Sequence, residues 1–397
     1  MNKYKTIDDL DVKGKRVLVR ADLNVPMKDG RVADPTRIER TLPTLKELMD
    51  RGARVVVMSH LGRPNGKAKP EYSLKPVAGT LAEIMGRPVP FATDCVGDAA
   101  ARVVKSLKDG DIALLENVRF HAGEEKNDTG LAKQMAALGD IYIGDAFACA
   151  HRAHASTEAV ARLLPSAAGR LMQAELDALT AALEAPKHPV AALVGGAKIS
   201  TKMDVLGHLI SKVDKLIVGG AMANTFLFAA GIKVGKSLCE KDMAKDAAAI
   251  VEAARKRGAD VLLPVDATVA KEFKEGAKSE TVAIDKVPAD AMILDVGPAT
   301  VERLKTELAS CKTLLWNGPL GAFEIAPFDA GTTALAQEAA RLTRAGSLLS
   351  VAGGGDTVSA LTRAGAIDGF SYVSTAGGAF LEWLEGKDLP GVAVLRA

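Results

Sequence analysis

GGGDT (353–357) stands directly after the apolar run SLLSVA and directly before TVSALTRAG, which has a helical pattern. Three glycines at a strand end leave backbone N–H groups unobstructed, and a following helix points its positive end at the same place. A tight turn needs only one glycine, so the stretch suits phosphate. Asp356 within it is placed to meet a magnesium ion carrying nucleotide phosphates. GGAKISTK (195–202) repeats the arrangement with Lys198 and Lys202 four residues apart, expected on one face of a single helical turn. Two like charges so placed repel unless an anion lies beside them; solvated surface lysines are the alternative. STAGGAF (374–380) makes a third strand-to-glycine-to-helix junction. WNGPLGAFE (316–324) adds the Asn317 amide, a turn at Pro319 and the carboxylate of Glu324, which suits ribose hydroxyls or an ordinary surface position.

The first part of the chain offers arginines on loops instead. ADLNVP (21–26) holds Asp22 and Asn24, Arg37 opens the next helix, and SHLGRP (59–64) supplies His60 and Arg63. ENVRFH (116–121) supplies Arg119, and AHRAHAS (150–156) supplies Arg152 between His151 and His154. The two histidines lack a third ligand at metal-binding spacing, so an anion pocket or simple packing is expected there rather than a metal. The formal net charge is +2, but residues 1–170 carry 27 basic against 22 acidic groups and the rest 24 against 27. The first part also holds 14 of the 21 arginines. No basic run is interleaved with aromatics, which argues against nucleic acid. A small multiply anionic ligand held by bidentate guanidinium groups fits the surplus, with solvated surface arginines as the alternative.

Other classes are excluded by absence of their signatures. GIKVGKS (231–237) has three residues between its glycines where a P-loop needs four, so it is expected to be a turn. No G-x-G-x-x-G opens a helix after a strand. Cys95, Cys149, Cys239 and Cys311 lie tens of residues apart and are expected to pack as free thiols. No apolar run approaches membrane-spanning length, and the opening MNKYKTIDDLDVKGKR is too charged for a signal-peptide core. A cytoplasmic location without membrane contact is expected.

The elements that must position these residues alternate. RVLVR (16–20), ARVVVMSH (53–60), DIALLEN (111–117) and DIYIGDAF (140–147) read as buried strands, separated by helical stretches at 36–52 and 73–86. HPVAALVGG (188–196), DKLIVGG (214–220), DVLLPVD (260–266), TLLWNGP (313–319) and SLLSVAGGG (347–355) repeat the scheme. Strands apolar almost throughout imply parallel sheets covered on both faces. The fold class is therefore α/β, with two doubly wound, Rossmann-like parallel-sheet domains. The glycine-free, Ala/Leu/Glu-rich stretch 171–186 is expected to be the hinge helix between them. The tail 389–397 reads as a short strand returning to one domain or the other.

In order, RADLNVP, SHLGRP, LLENVRF, DAFACAHRAH, GGAKISTK, VGGAMANTF, WNGPLGAFE, VAGGGDT and STAGGAFLEWLEG resemble phosphoglycerate kinase from about residue 16 to the end. The resemblance implies an N-terminal domain, 1–170 plus 387–397, for 3-phosphoglycerate and a C-terminal domain, 187–386, for Mg-ADP or Mg-ATP. It assigns Asp22, Leu23, Asn24, Arg37, His60, Leu61, Gly62, Arg63, Arg119 and Arg152 to the phosphoglycerate. Lys198, Lys202, Asn317, Glu324 and the run Gly353, Gly354, Gly355, Asp356 and Thr357 are assigned to the nucleotide, with Asp356 serving Mg2+. Arg37, Lys198 and the amides of Gly377 and Gly378 are implied to serve the migrating phosphoryl group, after hinge closure of a monomer. Two departures stand out: Ala376 and Phe380 replace a glycine and a serine of the usual pattern, and Ala148 replaces a glycine that tolerates exchange if its φ is negative. Another two-domain phosphotransferase and a bilobal solute-binding protein are the alternatives, which substrate panels and nucleotide turnover separate.

Overall fold

The computed structural model describes residues 4–396. Backbone contacts divide the chain into two units, Met1–Leu176 with Asp388–Ala397, and Asp177–Lys387. In the first, six strands form one sheet: β1 (Arg16–Ala21), β2 (Arg54–Met58), β3 (Phe91–Ala92), β4 (Ile112–Leu115), β5 (Ile141–Asp145) and β6 (Ser166–Ala168). Their order is β3-β4-β2-β1-β5-β6 and every pairing is parallel. Valine, leucine and isoleucine on both faces of β1, β2 and β4 are buried under flanking helices, as in a sheet covered on both sides.

The second unit repeats the plan with β7 (Val190–Val194), β8 (Lys215–Val218), β9 (Asp260–Leu262), β13 (Thr313–Asn317), β14 (Leu349–Gly353) and β15 (Tyr372–Ser374). The order is β9-β8-β7-β13-β14-β15, all parallel. Such a sheet reverses its winding between β7 and β13, and ligands bind in the crevice at the carboxyl ends of those strands. A separate antiparallel sheet, β11-β10-β12, is built from β10 (Asp266–Ala270), β11 (Ser279–Ala283) and β12 (Met292–Val296).

Four local expectations are corrected. The run 260–266 is not one strand: Asp260–Leu262 forms the edge of the parallel sheet, and Asp266 opens the antiparallel one. Lys198 and Lys202 do not share an α-helical turn. Lys198 is extended (φ −133°, ψ 128°), and Lys202 closes the 3-10 turn Ile199–Thr201. The hinge segment is helical over Arg170–Leu179 and then widens into an i→i+5 turn over Thr180–Glu184, closed by Ala185 N–H donating to Thr180 O at 2.9 Å. The tail is not a strand: Pro390–Ala393 forms a helical turn, and a lone bridge pairs Tyr4 with Arg396. Proline at the first helical position and a Gly391 that lies against the Ala150 backbone explain the turn.

The N-terminus of the helix Arg170–Leu179 is fastened within the first unit. Arg170 pairs with Asp8 and Glu47, each at 2.6 Å, and Asp145 at the end of β5 accepts the Met172 N–H at 3.0 Å. No helix among the described residues is long and apolar enough to cross a membrane.

Candidate active site

In the first unit the carboxyl ends of β1, β2 and β4 and the segment after β5 meet around His60. Ser59 Oγ donates to Ala21 O at 2.8 Å and accepts the Leu23 N–H at 2.9 Å, which locks the loop after β1 to the loop after β2. Asn24 Oδ1 accepts the Gly62 N–H at 2.8 Å and repeats that lock one step outward. Leu23 and Leu61 are buried and offer only backbone. Asn117 bridges Leu61 O and Tyr72 O, and its Oδ1 caps the 3-10 turn that carries Arg119.

Arg119 is buried; its Nη1 donates to Gly62 O at 2.9 Å, while its Nε has no hydrogen-bond partner. Arg37 Nη1 donates to Asp22 Oδ2 at 2.6 Å, so the carboxylate holds that guanidinium in one orientation. Burial, with the positive charge of Arg20, Arg119 and Arg37 around it, pushes the His60 imidazole well below its usual range. Such a ring is neutral, while Asp22 and Glu125 face two of the arginines around it, Arg37 at 2.6 Å and Arg119 at 3.6 Å. Arg63 and Arg152 stand exposed outside this network, Arg152 donating to His151 Nε2 at 3.2 Å. His154 is buried and depressed to about 4, chiefly by burial and then by Arg119 and Arg20.

Arg20 escaped the sequence reading. It is 1% exposed inside β1 and donates to Ser156 Oγ at 2.8 Å, to Ala21 O at 2.6 Å and to His60 Nδ1 at 3.2 Å. Ser156 in turn donates to the buried Glu124 at 2.5 Å. A charged residue inside a buried apolar run was the available signal. The Ala148 exchange is explained: it lies inside the 3-10 turn Phe147–Cys149, where φ is negative.

In the second unit the crevice forms where the sheet reverses. Gly195 N–H donates to Asn317 O at 2.8 Å across the ends of β7 and β13. Asn317 is the hub: its Oδ1 accepts from Lys202 Nζ, and its Nδ2 donates to Gly353 O at 2.7 Å. Lys202 is lowered from its usual value by burial, partly offset by Asp356 and Glu385. Lys198 is exposed. Gly354 has φ +102°, a conformation L side chains rarely adopt, and it turns the chain into the helix Gly355–Arg363. Thr357 is buried and its Oγ1 accepts the Gly318 N–H at 2.7 Å, so its side chain binds the two loops together.

An apolar pocket of about 440 Å³ opens beside this loop. Gly196, Gly220, Leu238, Phe273, Leu294 and Pro319 line it, with Glu324 and Asp356 as its carboxylates. Leu238, Phe273 and Leu294 were not singled out from the sequence, because isolated apolar residues carry no spacing signal. Asp356 is exposed at a helix start. A single exposed carboxylate beside a glycine loop at a helix start is a donor set that would fit Mg2+, an ion that takes most of its oxygens from phosphates and water.

The third junction accommodates both Ala376 and Phe380. Ala376 sits at φ −95°, where alanine is unstrained, and Gly377 and Gly378 open the helix Gly377–Leu384 with first-turn amides that have no partner inside the helix. Phe380 is fully buried against Gly353: a Cβ on that glycine would lie 2.7 Å from the ring.

Comparison with known proteins agrees over the full length. The phosphoglycerate kinase family model matches residues 7–387. The chain is 63% identical to the phosphoglycerate kinase of Methylorubrum extorquens (strain PA1), covering 100% of both, and 61% identical to that of Ruegeria sp. (strain TM1040), covering 99% of both. Among solved structures it is similar to the phosphoglycerate kinase of Coxiella burnetii, with a TM-score of 0.93 at 46% identity over 99% of this chain and 98% of that one.

Proposed function

The chain belongs to the phosphoglycerate kinase family and moves a phosphoryl group reversibly between 1,3-bisphosphoglycerate and ADP, and on that premise we propose which of its residues do so. The observation that carries the assignment is the different anion chemistry at the two strand edges. One gathers Arg37 and Arg119 about a neutral His60; the other offers glycine amides, Lys202 and Asn317 beside an apolar pocket.

Phosphoglycerate binds the first edge through Arg37, Arg63, Arg119, Arg152 and His60, with Asp22 and Asn24 orienting it and Leu23, Leu61 and Gly62 giving backbone contacts. The nucleobase enters the apolar pocket, Glu324 takes the ribose hydroxyls, and Lys198, Lys202 and the 353–357 loop hold the phosphates. Asp356 holds the Mg2+, which when bound offsets phosphate charge.

The attacking oxygen is an anion in both directions, a carboxylate or a diphosphate, so no general base is needed. Catalysis then consists of aligning two anions and stabilising the charge spread over the migrating group. Arg37, Lys198 and the amides of Gly377 and Gly378 fill that role. Because the substrates are assigned to different units, a hinge at 171–186 must bring them in line and exclude water from the acyl phosphate. Small-angle scattering tests this: the radius of gyration falls only when both substrates are present, and an unchanged value contradicts it. The working form is taken to be a cytoplasmic monomer, which a dimer on gel filtration would refute.

A further inference from the structure

Among the described residues, two groups bring a carboxylate, an imidazole and a thiol within 4.8 Å of one another: Asp22, His60 and Cys149, and Asp94, Cys95 and His121. They sit in opposite fields. Arg20 lies 3.2 Å from His60 Nδ1 and 3.8 Å from Cys149 Sγ, and Arg37 lies 2.6 Å from Asp22, so the first group belongs to the anion pocket and repels a cation. The second lies among acids. Burial first, and then the charges of Asp94, Glu124 and Glu116, push the Cys95 thiol well above its usual value.

The second group is built at the carboxyl edge of the first sheet. Asp94 and Cys95 follow β3, and His121 follows the 3-10 turn beyond β4; the two strands are parallel neighbours pairing Phe91 with Leu114 and Ala92 with Leu115. Asp94 Oδ1 accepts the Cys95 N–H at 2.7 Å and the Val96 N–H at 3.3 Å, and faces His121 Nε2 at 2.7 Å. Those bonds all fall on one oxygen and fix the carboxylate's orientation. The Asp94 and His121 side chains are 44% and 31% exposed, whereas Cys95 is fully buried. A cation arriving from solvent therefore meets oxygen and nitrogen first and finds sulfur at the floor.

We propose that Asp94, Cys95 and His121 form a binding site for a borderline-soft divalent cation, Zn2+ above all, with the fourth position left to water. Thiolate and imidazole select such an ion over Mg2+, which prefers oxygen throughout. When the metal–sulfur bond forms, the Cys95 thiol releases its proton to solvent. In the metal-free chain His121 donates its Nε2–H to Asp94; on binding that proton leaves to solvent and one is taken up at Nδ1, so the freed Nε2 lone pair meets the metal. His121 stands two residues beyond Arg119, so the ion braces the turn that presents that arginine.

The test uses the full chain, stripped with chelator and titrated with Co2+ in the absence of nucleotide. A thiolate-to-cobalt charge-transfer band should appear, saturate at one equivalent and be displaced by Zn2+. Cys95→Ser should abolish the band, and His121→Gln should weaken Zn2+ at least ~10-fold, the lower end of what even an outer-shell change costs. Asp94→Asn provides a further variant at a half-exposed position if Cys95→Ser does not fold. Absence of the band in the native chain overturns the proposal, as does a band that survives Cys95→Ser and disappears in Cys149→Ser.

Discussion

Arg20 Nη2 lies 3.2 Å from His60 Nδ1, and because a guanidinium can only donate, that ring nitrogen is the acceptor and the proton is on Nε2. The buried arginine thus selects the tautomer that carries its N–H on Nε2.

His60 should consequently act as a neutral donor across the working pH range. kcat/KM for 3-phosphoglycerate should show no inflection from it between about pH 6 and 8, since its folded value lies well below the usual 6.5. His60→Gln keeps an N–H and should lose less than His60→Leu, whose deficit should be about 1.5–3 kcal/mol, the scale of a hydrogen bond to a charged group. Equal losses in the two variants would refute the donor role.

Phe380 and Gly353 should behave as one unit. Truncating the buried ring in Phe380→Ala should cost about 3–5 kcal/mol and raise the nucleotide KM by loosening the 353–357 loop. Gly353→Ala should clash with the ring, and the double variant should recover part of that loss because the clash is gone. Urea unfolding of the four proteins gives the coupling; strict additivity would contradict the contact.

Asp145 ties stability to pH through the start of the helix Arg170–Leu179. Burial raises it from 3.8 to about 7, against the opposing pull of the Met172 and Leu171 N–H groups and Thr44. Between about pH 4 and 7 the folded chain keeps a proton that the unfolded chain has lost, so this contribution to stability falls as pH rises and levels off above 7. Asp145→Asn retains the accepting Oδ1 but not the titration. Its stability relative to the native chain should improve from pH 5 to pH 8; a pH-independent difference in urea unfolding would contradict the account.

The legible and illegible parts of this chain differ for physical reasons. Strands such as Val190–Val194 and the glycine junction after Leu349–Gly353 were readable, because two-sided burial demands apolar runs and close backbone approach demands glycine. The antiparallel sheet of residues 266–296 was not: its strand SETVA is mixed and largely exposed, and DATVA follows closely on the edge strand of the parallel sheet, so the two read as one run. The Lys198–Lys202 spacing misled, because a four-residue interval puts two side chains on one face only within an α-helix, and here Lys198 is extended before a 3-10 turn whose Ile199 is buried. Arg20 was missed because a buried cation is intelligible only once Ser156, His60 and Glu124, far off in sequence, are seen around it. Phe380, a departure from the usual pattern of the 374–380 stretch, packs its ring against Gly353 of the neighbouring glycine loop.

The central claim is that Arg37 in one unit and Lys198 in the other stabilise the migrating phosphoryl group. The direct measurement is ATP- and 3-phosphoglycerate-dependent formation of the acyl phosphate, coupled to its reduction, in the native chain and in Arg37→Ala and Lys198→Ala. The account predicts at least ~10²-fold lower kcat in each variant, the usual scale for removing a transition-state donor. Near-native turnover by either variant, with its fold intact, would contradict it.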